Sequence, residues 1–178
     1  MKTHVLAAMF AIALSAHATE QPKAVVKAPA TFSAEFLSNL GGVETKLVKL
    51  AEAIPAEKYT WRPAPGVRSI SEVFMHVAGS NYVLVTFLGV TAPASMPENI
   101  ESITDKQRVV AELKRSFEHV RKAATAMNEA DLAKPVSLFG NPTTNRGVYV
   151  TVLSHLHEHL GQSIAYARMN GVTPPWSE

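Results

Sequence analysis

His155 and His159 stand one helical turn apart in a chain that contains no cysteine. Residues at i and i+4 project from the same side of a helix, and two imidazoles so placed can grip one metal ion. A third ligand has to come from elsewhere, and His76, on the inward stripe of a second predicted helix, is the best upstream candidate. His157 lies two positions from each member of the pair, which turns it almost the opposite way on a helix of 3.6 residues per turn. The spacing also admits plainer readings. A histidine on an apolar stripe is commonly a hydrogen-bonded core residue, and the pair can be ordinary polar positions at a partly exposed helix end.

The letters His155-Leu156-His157-Glu158-His159 match H-x-x-E-H, the inverted zinc-peptidase pattern, in which the glutamate serves as base. Such a site takes a further carboxylate from well downstream. The only acid that follows His159 in this sequence is Glu178, so the peptidase reading lacks its third protein ligand.

Four helical segments are expected to position these groups. The first, from about Thr31 to Ile54, carries Phe32, Phe36, Leu40, Val43, Leu47, Leu50 and Ile54 at spacings of three or four, the signature of one core-facing stripe. Gly41-Gly42 lowers helix propensity there by about 1 kcal/mol per glycine and allows a bend, and Pro55 ends the segment. A proline-rich loop over 61–66 precedes the second helix, whose start is marked by the capping-box pair Ser69 and Glu72. His76 falls in its row Val73, His76, Ser80, Val83, Phe87. The third helix is expected from the Thr104-Asp105 cap to about Asn128, with Val110, Leu113, Phe117, Val120, Ala124 and Met127 facing inward. Pro97 and the Pro135 to Pro142 region read as loops, and no strand competes with the helices. The fourth runs from about Arg146 to Asn170, with Gly171 as its C′ residue and a stripe of Val148, Val152, His155, His159, Gln162 or Ser163, and Tyr166. This pattern predicts an all-α four-helix bundle, a fold in which metal sites are built from side chains on facing helices.

The N-terminus reads differently. Lys2, an apolar run from Val5 to Leu14, and Ala16-His17-Ala18 compose a secretory signal peptide over residues 1–18, followed by a flexible tether over 19–30 and the bundle domain over 31–176. The expected location is therefore periplasmic or secreted, after cleavage near Ala18. Lys2 is the only charged side chain in the leader, so its removal takes the formal net charge from +2 to +1. A charge this small, with scattered basic residues, offers no field for nucleic acid. No stretch is long enough to span a bilayer, which needs about 20 apolar residues.

Three segments together resemble the DinB/YfiT-like superfamily of four-helix-bundle metalloproteins, over most of residues 31–176. They are Trp61-Arg62-Pro63-Ala64-Pro65-Gly66-Val67-Arg68-Ser69-Ile70 leading into Glu72 and His76, then His155-x-x-x-His159-Leu160-Gly161-Gln162, and Asn170-Gly171-Val172-Thr173-Pro174-Pro175-Trp176. The resemblance implies one divalent metal ion, usually zinc or nickel, held by His76, His155 and His159, with a position left for water or substrate. Leu160 departs from the family's frequent His-Arg-Gly-Gln, so any part that arginine plays in holding an anion or a neighbouring helix is missing. Members of the family include transferases and an isomerase that use thiols such as bacillithiol or mycothiol, and many are homodimers.

The expected function is that of an exported protein binding one divalent metal through three histidines and acting on a small-molecule substrate, as a thiol transferase or a small-substrate hydrolase. Glu72, Asn81, Tyr82 and Glu158 are the groups available to orient ligands or move protons. Those family thiols are chiefly cytoplasmic, whereas the leader predicts export. Two alternatives therefore stand beside the enzyme: a non-catalytic metal or small-ligand binding protein of the cell envelope, and a bundle whose histidines hold no metal. Trp176 is expected to pack back over a loop or the mouth of the site.

Overall fold

The computed structural model describes residues 31–177; the expected leader and tether lie outside them. Four long helices dominate: α1 (Phe32–Ala53), α2 (Ile70–Leu84), α3 (Lys106–Thr125) and α4 (Asn145–Met169). Each of α1 and α2 packs against both α3 and α4. Phe36, Leu40, Leu47 and Leu50 of α1, Phe74 and Val77 of α2, Leu113 and Phe117 of α3 and Val152 and Leu156 of α4 are buried in one continuous core. Each such side chain withdrawn from water contributes roughly 1.5–3 kcal/mol. None of the described helices is long and apolar enough to cross a membrane.

The helix ends follow from their capping residues. Thr31, Ser69, Asp105 and Thr144 each accept a hydrogen bond from a backbone N–H in the first turn of their helices, which satisfies one of the donors a helix start leaves open. At Ser69 the capping box is complete, since the Glu72 carboxylate also accepts from the Ser69 N–H at 2.6 Å. α1 runs unbroken through Gly41-Gly42. Helix α2 ends earlier than expected: Val85–Leu88 tightens into a 3-10 turn closed by Gly89. α4 ends with the N–H groups of Gly171 and Val172 bonded back to Arg168 and Ala167, a Schellman closure. Trp176 packs against the core beside α1, with the Lys46 ammonium 6.0 Å from its ring centre.

The stretch expected as a strandless loop is instead an antiparallel hairpin, β1 (Pro135–Leu138) with β2 (Asn141–Thr144), in which Leu138 faces Asn141 and Pro135 faces Thr144. Its two turn residues, Phe139 and Gly140, have φ of 50° and 86°. Positive φ at both positions is the type I′ arrangement that matches strand twist, and it usually takes Asn-Gly. Phe-Gly gives no such signal, and prolines in both short strands argue against a ladder, so the pattern hides the hairpin. Hairpin and helix meet closely: a Cβ added at Gly147 would lie 2.1 Å from the Thr143 Oγ1.

Candidate metal centre

His76 comes from the middle of α2, and His155 and His159 from the middle of α4, where those two helices face each other. One ligand-capable nitrogen from each of the three lies within 4.8 Å of the others. The Nε2 atoms of His76 and His155 are 3.2 Å apart. All three rings are half-buried at the edge of the core rather than within it. The buried stripe of α4 runs through Val148, Val152, Leu156, Leu160 and Ser163, and the histidines stand one position to its side. The α2 row through Ser80 and Val83 likewise faces a cavity, not the core.

Partners on the far side of two rings fix which nitrogen is free. The Nδ1 of His76 donates to the Glu101 carboxylate at 3.0 Å, and that of His159 to the Gln162 side-chain oxygen at 2.8 Å. The Gln162 amide in turn donates to the Tyr166 hydroxyl at 3.1 Å, and the Tyr166 ring meets Trp61 edge-on at 5.5 Å. With Nδ1 carrying the proton, each Nε2 keeps its lone pair for the centre. Carboxylate and carbonyl partners of this kind orient metal-bound histidines and raise their basicity. The His155 Nδ1 is buried without a partner.

Glu101 is itself held from two directions. Arg68 donates from Nε to one carboxylate oxygen at 2.9 Å and from Nη2 to the other at 3.2 Å. Arg68 is delivered there by the proline-rich loop, which Arg62 fastens by donating to the Val67 carbonyl and to Glu72. Burial raises the Glu101 pKa, but the hydrogen bonds from Arg68 and His76 outweigh it and leave the carboxyl below its ordinary range.

Electrostatics favour the neutral form of His155 and His76. Burial first, then charge on His159, His76 and Arg68, pushes His155 down to about 4. Burial and Arg68 also lower His76 against the opposite pull of Glu101. Neutral imidazole is the form that binds metal, so the donor set and the lowered pKa values of His76 and His155 fit a divalent ion. Nitrogen ligands suit zinc, nickel, copper and iron alike.

The other groups expected to orient ligands or move protons are elsewhere. Asn81 donates to Ser116 and Tyr82 to Glu112, both buried on α3, because residues five and six positions beyond His76 point about 140° and 120° away from it. Glu72 is occupied by Ser69 and Arg62, and Glu158 is exposed, as is His157, whose ring bonds its own helix at Leu153. Glu101, Arg68 and Gln162 are the supporting groups instead. Gln162, three positions after His159 on the same helix, was recoverable from spacing; Glu101, in an irregular connection, leaves no periodic trace. Leu160, at the position of the family's arginine, is buried in the core, so it offers no charge to an anion.

A cavity of about 520 Å³ opens beside His76 and His155, between α2, α4, the Met96–Glu101 segment and the hairpin tip.

The family model of the DinB superfamily matches residues 40–163. Among solved structures, the chain is similar to a DinB-like protein from Bacillus cereus ATCC 10987, with 19% identity and a TM-score of 0.71 over 80% of this chain and 95% of that one. It is similar also to a DinB-like protein from Bacillus subtilis, with 21% identity and a TM-score of 0.65 over 78% and 94% of the two chains. A conserved protein from Enterococcus faecalis shares 14% identity and a TM-score of 0.67 over 79% and 98%. At these identities the likenesses speak to fold. Among curated proteins none matches the sequence. The family match spans well over half of the chain, which belongs to the DinB superfamily.

Proposed function

We propose that this protein is a four-helix bundle of the DinB superfamily that binds one divalent metal ion, zinc or nickel, through the Nε2 atoms of His76, His155 and His159. We further propose that it acts on a small-molecule substrate there, as a thiol transferase or small-substrate hydrolase. The observation that carries the reading is the convergence of three imidazoles from two helices, two of them locked by Glu101 and Gln162 with their free lone pairs turned inward. When bound, a divalent ion supplies Lewis acidity, which favours the deprotonated form of a thiol or water near neutral pH. The chain's own part is to orient the rings, exclude bulk water with the apolar wall of the adjoining cavity, and hold the proton on the His76 Nδ1 against Glu101. The domain extends over 31–176, and the leader and tether direct the protein to the periplasm or outside the cell.

One observation favours a second reading, a non-catalytic metal or small-ligand binding protein. Glu72, Asn81, Tyr82 and Glu158 all have other partners or face solvent, and Glu101 is engaged by both Arg68 and His76. A general base needs a free acceptor within hydrogen-bond reach of the proton it takes. The two readings separate in one assay: metal-loaded protein and a His155→Ala variant are given a panel of electrophiles with low-molecular-weight thiols and a panel of small esters and amides. Turnover that disappears with chelator and in the variant supports the enzyme. A bound metal with no turnover in either panel supports the binding protein.

A further inference from the structure

We propose that the cavity beside the histidines takes a ligand with an uncharged apolar body and a single metal-coordinating head group, and that Phe139 at the hairpin tip forms the outer wall of that site. The proposal rests on the metal reading given above and adds to it the chemistry of the molecule bound.

The cavity, at about 520 Å³, falls within the roughly 300–1,000 Å³ typical of small-molecule sites. His76, His155 and Glu101 line it, with Ser80 and Thr151 as the other polar side chains, and Val83, Leu84, Met96, Ile100 and Phe139 form its apolar wall. Among the described residues, no lysine or arginine lines it. Arg68, which reaches Glu101, turns its Nε and Nη2 donors to that carboxylate, so its charge is already matched and an anionic body would enter beside Glu101 with no lysine or arginine on the cavity wall to offset it. Burying it there would be costly, whereas an apolar body would cover surface already turned to water.

Two of those wall residues are conspicuous on other grounds. Val83 is 38% exposed and Phe139 65% exposed, among the few large apolar side chains left open in the described residues. Phe139 also holds a backbone angle, φ 50°, that a phenylalanine rarely adopts and that the turn would fill more easily with asparagine or glycine. Its ring is nonetheless held in place, edge-on to Phe87 at 4.8 Å and 68°. A residue that local turn chemistry disfavours, kept at the rim of a cavity that His76 and His155 also line, marks a place where function outweighs local preference.

The test uses the full chain loaded with cobalt(II), whose visible absorption reports both metal uptake and exchange of a ligand on it. Neutral alkyl hydroxamic acids, from acetohydroxamic to octanohydroxamic acid, keep one head group and lengthen the apolar body. The dissociation constant should fall by about three- to fourfold per methylene until the cavity is filled. Val83→Asp should flatten the series, with the octyl member weakened by about tenfold or more. Phe139→Ser, at the exposed tip, gives the same reading should Val83→Asp fail to fold, and a retained cobalt spectrum certifies the fold of each variant. Cobalt uptake with affinities independent of chain length overturns this proposal and leaves the metal reading standing. Failure of the wild-type chain to take up cobalt overturns both.

Discussion

The Nε2 atoms of His76 and His155, which are 79 residues apart in the sequence, lie 3.2 Å from each other. Two neutral imidazoles can share one proton at that distance, but a positively charged pair would repel. The arrangement therefore demands that at least one ring stay unprotonated, and burial supplies the reason: His155 is pushed down to about 4. With the His76 Nδ1 proton donated to Glu101, the His76 Nε2 is the acceptor of this contact and keeps its lone pair turned inward, while the His155 Nδ1 is left buried without a partner.

That depressed pKa has a consequence for stability without metal. In the unfolded chain His155 takes up a proton near its ordinary value of 6.5, while in the folded chain it refuses one until about pH 4. The unfolded state therefore binds more protons across this window, so stability falls as pH drops from about 6.5 towards 4. Chemical denaturation of the metal-free protein at a series of pH values should show the loss, and His155→Gln should lose less over the same range. NMR titration of the His155 ring should show it neutral at pH 5.5.

Glu101 meets the proposed centre through its hydrogen bond with His76. Removing a carboxylate that orients a metal-binding histidine typically weakens metal affinity by about 10- to 100-fold. Glu101→Ala is expected to fall in that range in competition with a chromophoric chelator. Arg68→Ala, one step further out, should weaken affinity less, because the His76 bond to Glu101 survives. Equal affinities in wild type and Glu101→Ala would remove Glu101 from the account.

At the hairpin, the contact between Gly147 and Thr143 sets a packing test. A methyl at Gly147 would lie 2.1 Å from the Thr143 Oγ1 and 3.4 Å from its Cβ. Gly147→Ala should cost about 1–3 kcal/mol by overpacking, seen as a lower Tm. Adding Thr143→Ala removes the clashing oxygen and leaves ordinary contact, so the double variant should recover most of the loss. Simple addition of the two effects would show that the contact is not the cause.

How far the sequence announces this structure depends on periodicity. Phe36, Leu40, Val43, Leu47 and Leu50 repeat at helical spacing and fall inside the α1 core as expected, and Ser69 with Glu72 marks the start of α2 to the residue. His155 and His159 announce each other in the same way. His76 joins them only through the packing of α2 on α4, which a stripe cannot specify because it gives a face and not a partner. The hairpin escapes because Phe139-Gly140 lacks the usual residues of its turn, and Glu101 escapes because it sits in an aperiodic connection. Asn81 and Tyr82 mislead for the opposite reason: close to His76 in the chain, they are rotated onto the α3 side of the helix.

His76, His155 and His159 are proposed to hold one ion together. Elemental analysis by mass spectrometry of the protein purified without a histidine tag, in parallel with His76→Ala, measures it most directly. One divalent ion per wild-type chain and none in His76→Ala, with helical circular dichroism unchanged, is the predicted result. A wild-type chain that carries no ion after incubation with zinc or nickel, or a His76→Ala chain that retains its ion in full, would contradict it.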